Sequence, residues 1–581
     1  MEIVTKIIDN IDVLVIGGGI AGTFASIKAK EAGAKKVVQV DKSHVGKSGN
    51  SAFGAGVLHV WLPEEGDEGL EDRFRRLSRA QGYLVQQDLI RDHLEQSWEI
   101  VKDMEQYGVE FERKEGGEIE SHAGRGAHPI IMFHGPQMMD SLMRASLRKG
   151  VQHVNRVMVT DLVNVNGKIA GAVGFNTQTG DFHVFKSKST VIATGSTWYK
   201  GLLPGHRDDT GDGYGMAFRA GATLWGSENN DQISHAMPAR FDIGPGLNMF
   251  QGLGGKWINR NGERFMEKYN PSLMERAGLR NIMYGFILEI KQGNGPIEMD
   301  MTHFTTAQIE RMRKVIPLPT LQFERAGLIA QNRFVKPVEW MLCPPTGRPG
   351  LAVNRSFETS LEGLYACGEA ASSAAVVTGL ASAATSGAVA AKTAAEYAKS
   401  SSISEISNEV LHDLQQRTLG PLEKLHGVEP DLLVVSIQEN VIPYDIVLLR
   451  NEERLTNALE NLEFLRDNYL NEMKAYDPHY LRKVHEAHNM LFTAEAQLKT
   501  CLLRKESRVG LREDYPFTDN ENWFKWITIT NAAGTMEMGT AEVPIGTYPM
   551  KVEHVSELHY IWQLAQSLGI MHIEGGKVVW A

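Results

Sequence analysis

Cysteine is scarce in this chain of 581 residues. Only Cys343, Cys367 and Cys501 are present, and none of them stands in a Cys-x-x-Cys pair. Three thiols argue against a disulfide framework, and they are too few for an iron–sulfur cluster, which usually needs four thiolates. Any such cluster would have to lie on a partner chain, and no metal site is predicted here. We expect a reducing, cytoplasmic compartment.

Long apolar runs are also missing. A helix that spans a bilayer needs about 18 to 20 consecutive apolar residues. The nearest candidate, residues 379–395, mixes small residues with Ser, Thr and Lys, and we expect it to be a packed internal helix. No transmembrane segment is predicted, and the first residues, MEIVTKIIDN, lack the apolar run of a secretory signal.

Positively charged residues are fewer than negatively charged ones. Lys and Arg number 60 against 71 for Asp and Glu, which gives a formal net charge of -11. Nucleic-acid binding is driven by positive surface, so a general nucleic-acid partner is not expected. The length predicts about two to four domains. A hydrophobic fraction of 42% is typical of a globular protein.

Glycine, in contrast, is concentrated near the start. Residues 11–22 read IDVLVIGGGIAG, an apolar strand followed by a glycine turn and a predicted helix. Gly17, Gly19 and Gly22 fit G-x-G-x-x-G, which permits a tight turn, close approach of a pyrophosphate, and helix packing on the strand. The helix N-terminus offers N–H groups to the anion. The next predicted strand ends at Asp41, whose carboxylate can accept ribose hydroxyls. The pattern predicts dinucleotide binding.

Three further segments favour FAD over NAD as the dinucleotide. They are KSGNSAFGAG (47–56), TVIATG (190–195) and GLYACGEA (363–370). Each combines small residues with a predicted turn, and together they could return to one extended ligand. This arrangement resembles FAD-binding flavoproteins more than simple NAD dehydrogenases.

Additional motifs make the resemblance specific. They are TGDGYGMAFRAGATL (210–224), GERFMEKYNP (262–271), GPIEMD (295–300) and RKESRVGLREDYP (504–516). In this order they resemble the flavoprotein subunits of the succinate dehydrogenase/fumarate reductase family, which includes L-aspartate oxidase and the alpha subunit of adenylylsulfate reductase. The resemblance reaches about residue 526, so residues 527–581 lie outside it.

The resemblance implies an α/β fold with a Rossmann-like FAD-binding domain, an inserted α+β capping domain and a C-terminal helical domain. The expected boundaries are 1–235 and 346–400 for the FAD domain, 236–345 for the capping domain, 401–526 for the helical domain and 527–581 for an extension. The cofactor-binding residues that it implies are Gly17, Gly19, Ala21, Gly22, Asp41, Lys42, Ser48, Asn50, Ser51, Gly54, Gly56, Ala193, Thr194, Gly195, Asp212, Glu369 and Ser386.

The resemblance also bears on how FAD is held. Some members attach FAD covalently to a histidine in the loop after the acidic residue, and Gly49 occupies that position here. His44 comes five residues early and is interpreted as an ordinary loop histidine. We therefore predict non-covalent FAD. A covalent flavin normally has a higher potential, so its loss favours substrate reduction or an easier electron donor.

Three arginines are concentrated in residues 262–280: Arg264, Arg276 and Arg280. In the resembled family, an Arg of the capping domain delivers a proton to the substrate carbon. Arginine normally keeps its proton, because its pKa exceeds about 12, so the role requires tuning by burial and neighbouring charges. The resemblance assigns it to Arg280, with Arg264 as a second member of the proton path. Arg276 is a possible substitute, and ion pairs that clamp domains are the other interpretation.

The proton relay departs from the family pattern at two positions. Asn281 follows the candidate arginine where an Asp is frequent, and Asn261 replaces an acid that some members use. These departures leave the composition of the relay open.

The residues that hold dicarboxylates in related members are also missing. The first histidine position aligns with Ile233, and His235, two residues later, is kept as a candidate catalytic residue. Trp340 and Ser382 stand where a second histidine and an arginine are expected. Each lost ion pair should weaken dicarboxylate binding by roughly 1.5 to 3 kcal/mol, which disfavours succinate and fumarate. Arg348 could supply a replacement cation or be an exposed turn residue.

Two functions from different classes follow, and a third, a non-enzymatic scaffold, is disfavoured by the intact flavin segments. The first is a self-contained or homo-oligomeric FAD oxidoreductase that acts on a small, acidic organic substrate. The second is the flavin subunit of an adenylylsulfate-reductase-like complex that passes electrons to an iron–sulfur subunit. His134-Gly135, within residues 124–145, resembles that subgroup loosely.

Three C-terminal segments carry structural expectations. The alternating charges of residues 504–516 predict a salt-bridged network and not a catalytic site. Residues 449–500 show helical patterning, interpreted as packing, with a partner-docking face as the alternative. The final segment is expected to pack on its own helical domain or to wrap a neighbouring subunit.

Overall fold

A computed structural model describes most of the chain. The described residues are 3–54, 56–123, 128–201, 205–228, 236–238, 247–342, 349–371, 379–508, 510–552 and 556–581. His235, Ile233, Arg348 and Cys343, which the sequence analysis discusses, lie outside them.

The first part of the chain builds the nucleotide-binding domain. Its strands are β1 (Thr5–Ile16), β2 (Val37–Asp41), β3 (Val57–Leu58), β4 (Ser121–Ala123), β5 (Pro129–Met132), β6 (Gln152–Asn155), β7 (Val157–Val165), β8 (Lys168–Asn176), β9 (Phe182–Ile192) and β10 (Leu224–Trp225). Its helices are α1 (Ile20–Glu31), α2 (Gly49–Ala52), α3 (Gly66–Ala80), α4 (Gln87–Tyr107), α5 (Gly135–Arg148) and α6 (Asp212–Ala220).

The capping domain follows. Its strands are β11 (Ala236–Pro238), β12 (Lys256–Ile258), β13 (Ile297–Asp300), β14 (Ile329–Ala330), β15 (Arg333–Phe334) and β16 (Val338–Leu342). Its helices are α7 (Leu247–Gly252), α8 (Met266–Tyr269), α9 (Leu279–Lys291), α10 (Thr306–Val315) and α11 (Pro317–Arg325). Four of these strands form an antiparallel sheet in the order β11-β16-β13-β12.

The chain then returns to the first domain before it enters the helical region. The returning elements are β17 (Gly350–Leu351), β18 (Leu364–Ala366) and α12 (Leu380–Ser400). The helical region contains α13 (Asn408–Leu419), α14 (Pro430–Val441), α15 (Tyr444–Val447), β19 (Leu449–Arg450), α16 (Glu452–Asn468), α17 (Pro478–Leu503), β20 (Leu511–Arg512), β21 (Phe517–Asp519) and α18 (Asn520–Trp523). The tail contains β22 (Lys525–Ala532), β23 (Thr535–Glu542), β24 (Ser556–Leu558), α19 (Tyr560–Ser567), β25 (Met571–Glu574) and β26 (Lys577–Trp580).

The central sheet explains where a nucleotide would bind. Strand β1 lies between β2 and β9, with β6 beyond β2 and β18 beside the second half of β9, all parallel. Residues 13–16 of β1 are buried, as expected of a parallel strand covered on both faces. The order of the strands reverses at β1. Ligands of open α/β sheets bind outside the carboxyl ends of the strands at such a point, and the glycine turn occupies it.

The fold class predicted from the sequence is confirmed. The two separate segments of the chain join in one sheet through β18, and α12 packs along α1. This packing is close because Gly387 of α12 faces α1, where an added Cβ would lie 2.4 Å from the carbonyl oxygen of Ala21. The small-residue segment 379–395 is therefore a packed internal helix, as predicted, whereas the domain boundaries stay predictions.

The tail packs on its own chain, and more widely than on the helical region alone. Strand β22 pairs with β10 of the first domain, where Ile529 lies opposite Leu224. Strand β24 pairs with β21 of the helical region. Helix α19 contributes Trp562 to the hydrophobic cluster that contains Trp257 of the capping domain. The tail therefore links the three parts of the molecule.

Candidate functional site

A cavity of about 340 Å³ opens at the carboxyl ends of β1, β2 and β9. Its wall consists of the glycine turn, the loop after β2, the end of β9, the turn after β18 and the start of α12. Leu279, the first residue of α9, contributes to the wall from the capping domain. The cavity therefore lies where the first domain meets the capping domain.

The glycine turn is built as the motif predicts. Gly17 has a φ of +121°, and an added Cβ would lie 2.2 Å from the carbonyl oxygen of Ala193. A Cβ on Gly22 would lie 2.1 Å from the carbonyl oxygen of Gly17, because helix α1 packs tightly on the turn. The Ser51 hydroxyl accepts the N–H of Ile20 at 3.1 Å. The N-terminus of α1 thus faces the cavity, which suits an anion.

Asp41 ends β2 and supports the glycine turn. Its carboxylate accepts the N–H groups of Gly18 and Ser43, each at 2.7 Å, and the Ser48 hydroxyl at 3.2 Å. Burial raises the pKa of Asp41, and these donors oppose the rise. The side chain also lines the cavity, so a ribose could be held beside the turn that Asp41 organises.

Lys42 connects the cavity to the helical region. Its ammonium donates to Thr210 and Asp212, each at 2.8 Å, and to Glu486 at 2.9 Å. Burial alone would lower the pKa of Lys42, but the carboxylates of Asp212 and Glu486 reverse this effect and raise it. Both Lys42 and Asp212 line the cavity. The network fixes the start of α6 relative to β2.

Glu369 forms hydrogen bonds that hold the part of the cavity wall after β18. Its carboxylate accepts the Ser196 hydroxyl at 2.8 Å, and its carbonyl accepts the Tyr214 hydroxyl at 2.7 Å. Behind it, the Ser386 hydroxyl accepts the N–H of Gly368 at 2.9 Å. Glu369 and Gly368 line the cavity, and Ser386 positions the turn that carries them.

The structure places nearly all of the predicted cofactor-binding residues on this cavity. Those on the wall are Gly17, Gly19, Ala21, Asp41, Lys42, Ser48, Asn50, Ser51, Gly54, Ala193, Thr194, Gly195, Asp212 and Glu369. Gly22, Gly56 and Ser386 are not on the wall. They pack behind the residues of the wall. Gly56, for example, packs closely on its neighbour, because an added Cβ would lie 1.9 Å from the carbonyl oxygen of Phe133.

Among the wall residues that sequence reasoning missed are Trp198, His206 and Asp209. The Trp198 and His206 rings stack with centroids 3.7 Å apart. Asp209 accepts the side-chain amide of Asn50 at 2.6 Å, and burial, followed by the charge of Glu369, raises its pKa well above the ordinary value. These residues lie between two recognised motifs, and no local pattern marks them.

The structure separates the three candidate arginines. Arg264 forms an ion pair with Glu275 and is not on the cavity wall. Arg276 is exposed. Arg280 is half-buried in the first turn of α9, next to Leu279 on the wall. The Arg264 pair lies within the capping domain and does not clamp two domains, whereas Arg280 directly follows a residue of the cavity wall.

Two residues considered for the substrate pocket are not on the wall of this cavity. Trp340 is buried in the core of the capping domain, with its ring centroid 5.4 Å from that of Trp257. Ser382 lies within α12, where its hydroxyl donates to the Gly379 carbonyl at 3.1 Å. Neither residue lines the cavity.

The predicted charge network in residues 504–516 is present. Arg504 pairs with Glu228 at 2.7 Å and with Glu506 at 2.9 Å, and Arg508 pairs with Glu506 at 2.7 Å. All four side chains are buried. The network joins the helical region to the end of the first domain.

Comparison with known proteins identifies the family. A model of the FAD binding domain matches residues 12–385, and a model of the fumarate reductase flavoprotein C-terminal domain matches residues 439–556. The chain belongs to the succinate dehydrogenase/fumarate reductase flavoprotein family. It is a FAD-dependent oxidoreductase, and the second match extends beyond residue 526, where the recognised sequence motifs end.

Relatives of this flavoprotein come from several organisms. An uncharacterized FAD-dependent oxidoreductase of Methanocaldococcus jannaschii is 26% identical over 543 residues, 88% of this chain and 94% of the relative. A protein of Methanothermobacter marburgensis, named as one of the subunits of fumarate reductase (CoM/CoB), is 26% identical over 535 residues, 88% of this chain and 95% of the relative.

Solved structures share the fold of this flavoprotein. The E. coli quinol fumarate reductase protein FrdA has a TM-score of 0.82 at 21% identity, covering 94% of this chain and 98% of that one. Adenylylsulfate reductase of Archaeoglobus fulgidus has a TM-score of 0.79 at 23% identity, covering 93% and 97%. Among the helices described here, none is long and apolar enough to cross a membrane.

Proposed function

We propose that this flavoprotein binds FAD without a covalent bond and transfers reducing equivalents between FAD and a small, acidic organic substrate other than succinate or fumarate. The observation that carries the proposal is the juxtaposition of the nucleotide cavity with the start of α9 at Leu279. Arg280 directly follows Leu279 in the first turn of α9, and we assign it to the substrate.

The residues present fit FAD. Gly17 permits the tight turn, since an added Cβ would collide with the Ala193 carbonyl oxygen, and the N-terminus of α1 suits the pyrophosphate. Asp41 would hold a ribose, and Glu369 and Asp212 would bind polar groups farther along the cofactor. When bound, FAD supplies the acceptor or donor of a hydride.

Gly49 supports non-covalent binding. It lines the cavity at the position where covalent members carry a histidine, and it offers no side chain for attachment. His44 is instead engaged with Arg156, whose Nε donates to its ring at 3.1 Å. Acid precipitation tests this point: the yellow flavin should stay in the supernatant. Flavin in the protein pellet would contradict it.

Arg280 is proposed to deliver the proton to the substrate carbon. It is half-buried in the first turn of α9 and directly follows Leu279, which lines the cavity. Arg280→Lys keeps a positive charge but changes its reach, so turnover should fall by orders of magnitude while the flavin spectrum is retained. Arg276→Lys, on an exposed neighbour, is the matched control. Unchanged turnover in Arg280→Lys would exclude the role.

The substrate class is tested by anaerobic bleaching of the bound flavin. Candidate small organic acids should bleach it, whereas succinate should not. Rapid bleaching by succinate would overturn the proposal that the pocket has lost dicarboxylate binding. For a reductase, the matching test is reoxidation of the reduced flavin, in which fumarate should be inactive.

A second candidate function is the flavin subunit of an electron-transfer complex with an iron–sulfur partner. The relative from Methanothermobacter marburgensis is named as part of a multi-subunit enzyme, and this chain holds only three cysteines. The absorption spectrum of gently purified native protein separates the candidates. Broad iron–sulfur absorption beneath the flavin bands would favour the complex, and flavin bands alone would favour the self-contained enzyme.

A further inference from the structure

Helix α9 extends from the cavity to the C-terminal tail. It begins at Leu279 on the cavity wall and ends at Lys291. Residues 282–289 are buried, so α9 forms part of the core of the capping domain. Whatever holds α9 therefore sets where Arg280 stands relative to the cavity.

The first turn of α9 contacts the residues around the start of α19. The Tyr560 hydroxyl donates to the side-chain oxygen of Asn281 at 2.8 Å. The rings of Tyr284 and His559 meet edge to face with centroids 6.4 Å apart. Arg280 is close enough to His559 for its charge to lower the pKa of that ring, after the larger effect of burial.

The last turn of α9 contacts the final strand. The Lys291 ammonium lies 5.2 Å from the centroid of the Trp580 ring, a cation–π arrangement. The Trp580 ring also packs on Trp562, with centroids 5.8 Å apart. Both ends of α9 are thus held by one short segment, residues 556–581, which we call the C-terminal clasp.

The clasp is anchored to the helical region and not to the capping domain alone. The indole of Trp562 donates to the Ser507 hydroxyl at 3.1 Å, and that of Trp580 donates to the Glu513 carboxylate at 2.6 Å. The N–H of Val578 donates to the Glu513 carbonyl at 2.7 Å. Since Ser507 and Glu513 lie within residues 504–516, the segment that also carries the buried charge network, the clasp ties α9 to the helical region.

We propose that the C-terminal clasp sets the position of α9 over the flavin cavity, and that Tyr560 is a positioning residue that acts on Arg280 through Asn281. The inference rests on the proposed function in one respect, because the residue that the clasp positions, Arg280, is the proposed proton donor. Residues 557–581 lie beyond the matched C-terminal model, which ends at residue 556. The part of the clasp after Ser556 is thus not covered by the matched domain model.

Hydrogen exchange measured by mass spectrometry tests the clasp without any substrate. Tyr560→Phe keeps the ring and removes the hydrogen bond, so amide exchange in residues 279–285 should accelerate about two- to fivefold in the FAD-loaded protein. Asn281→Ala should accelerate it similarly. The double variant should be no faster than the faster single variant, since both changes remove one interaction.

Tyr476→Phe is the matched control, because it removes a comparable hydrogen bond, from an exposed phenol to the Glu429 carboxylate at 2.8 Å, far from α9 in the chain. It should leave exchange in residues 279–285 unchanged. Equal exchange in Tyr560→Phe and the wild type would overturn the proposal. Equal acceleration of amide exchange in residues 279–285 by Tyr476→Phe would also overturn it, because the effect would then reflect a general loss of stability.

A kinetic measurement separates failure of the clasp from failure of the proposed function. Tyr560→Phe should lower kcat by about two- to fivefold with KM unchanged, because it displaces Arg280 and not the substrate. If Arg280→Lys leaves turnover intact, the proposed function fails, yet the exchange result still decides whether the clasp holds α9. A rise in KM alone in Tyr560→Phe would contradict the positioning role.

Discussion

Arg264 and Glu275 form a two-point ion pair in the capping domain. The guanidinium Nε lies 2.9 Å from one carboxylate oxygen, and Nη2 lies 2.6 Å from the other. The same carboxylate accepts the N–H of Trp257 at 3.1 Å. This geometry joins the segment before α8 to the turn before α9 and to β12, so it stabilises the support of α9.

The first prediction concerns this pair. Arg264→Ala leaves the Glu275 carboxylate, whose side chain is 4% exposed, without its cation. We expect a loss of about 1 to 3 kcal/mol in the free energy of unfolding, since the arginine itself is partly solvated. Arg276→Ala, an exposed arginine in the same segment, should change it by less than about 0.5 kcal/mol. Urea unfolding of both variants is the measurement, and equal stabilities would refute the assignment.

The second prediction concerns Asp41. Asp41→Ala removes the acceptor of the Gly18 and Ser43 N–H groups and the expected ribose ligand. Because hydrogen bonds to a charged group contribute about 1.5 to 3 kcal/mol each, the Kd for FAD should rise about tenfold to a hundredfold. Titration of apoprotein with FAD, followed by flavin fluorescence, measures it. Asp9→Ala, an exposed carboxylate at the start of β1, is the control, and the idea fails if both variants bind equally.

The third prediction concerns Gly17. An added methyl would collide with the backbone of Ala193 at 2.2 Å, at the point where β1 and β9 lie side by side. Gly17→Ala should therefore abolish FAD loading and lower stability by more than about 3 kcal/mol. Gly167→Ala also has a positive φ, +88°, but meets no atom within 4 Å. It should show only the backbone strain, about 1 to 2 kcal/mol, and retain FAD. Flavin content after gel filtration distinguishes the two.

The fourth prediction concerns pH and His559. Burial, with the charges of Arg280 and Arg508, lowers the pKa of His559 from 6.5 to about 3, although a hydrogen bond to the Arg508 backbone opposes the shift. The rings of Tyr284 and Tyr560 also face it. In the unfolded chain the ring takes up a proton below about pH 6.5, whereas in the folded chain it stays neutral. Folding stability from this residue is therefore lost as the pH falls from 6.5 towards 3.

His559→Gln should remove that contribution. Between about pH 6 and pH 4, the free energy of unfolding should change less steeply than in the wild type, by up to about 1.36 kcal/mol per pH unit. Urea unfolding at a series of pH values measures the slope. The buried His93 and His488, whose pKa values are also lowered, remain in both proteins, so the difference reports His559 alone. Parallel slopes would show that His559 titrates normally.

Local motifs of the sequence were sufficient to predict the nucleotide cavity. Local backbone geometry, which neighbouring residues determine, sets three parts of the cavity: the turn at Gly17, the acid at Asp41 and the turn before Glu369. The charge network in residues 504–516 was predicted for the same reason, since three of its paired groups lie within five residues of one another. The family, the fold class and FAD follow from such motifs, because their order along the chain is specific.

The resemblance alone ranked Arg280 before Arg264, but only the tertiary structure shows the surroundings of each arginine and the remaining wall of the cavity. Arg264 pairs with Glu275, whereas Arg280 follows Leu279 at the start of α9. Trp198 and His206 stack within the single connection between β9 and α6, where no motif marks them, and Tyr560 reaches Asn281 across 279 positions of sequence. The second contact depends on how separate elements pack. Periodicity and motif spacing indicate the conformation of one segment of the chain. They do not indicate which distant residues of the sequence that segment contacts in the folded protein.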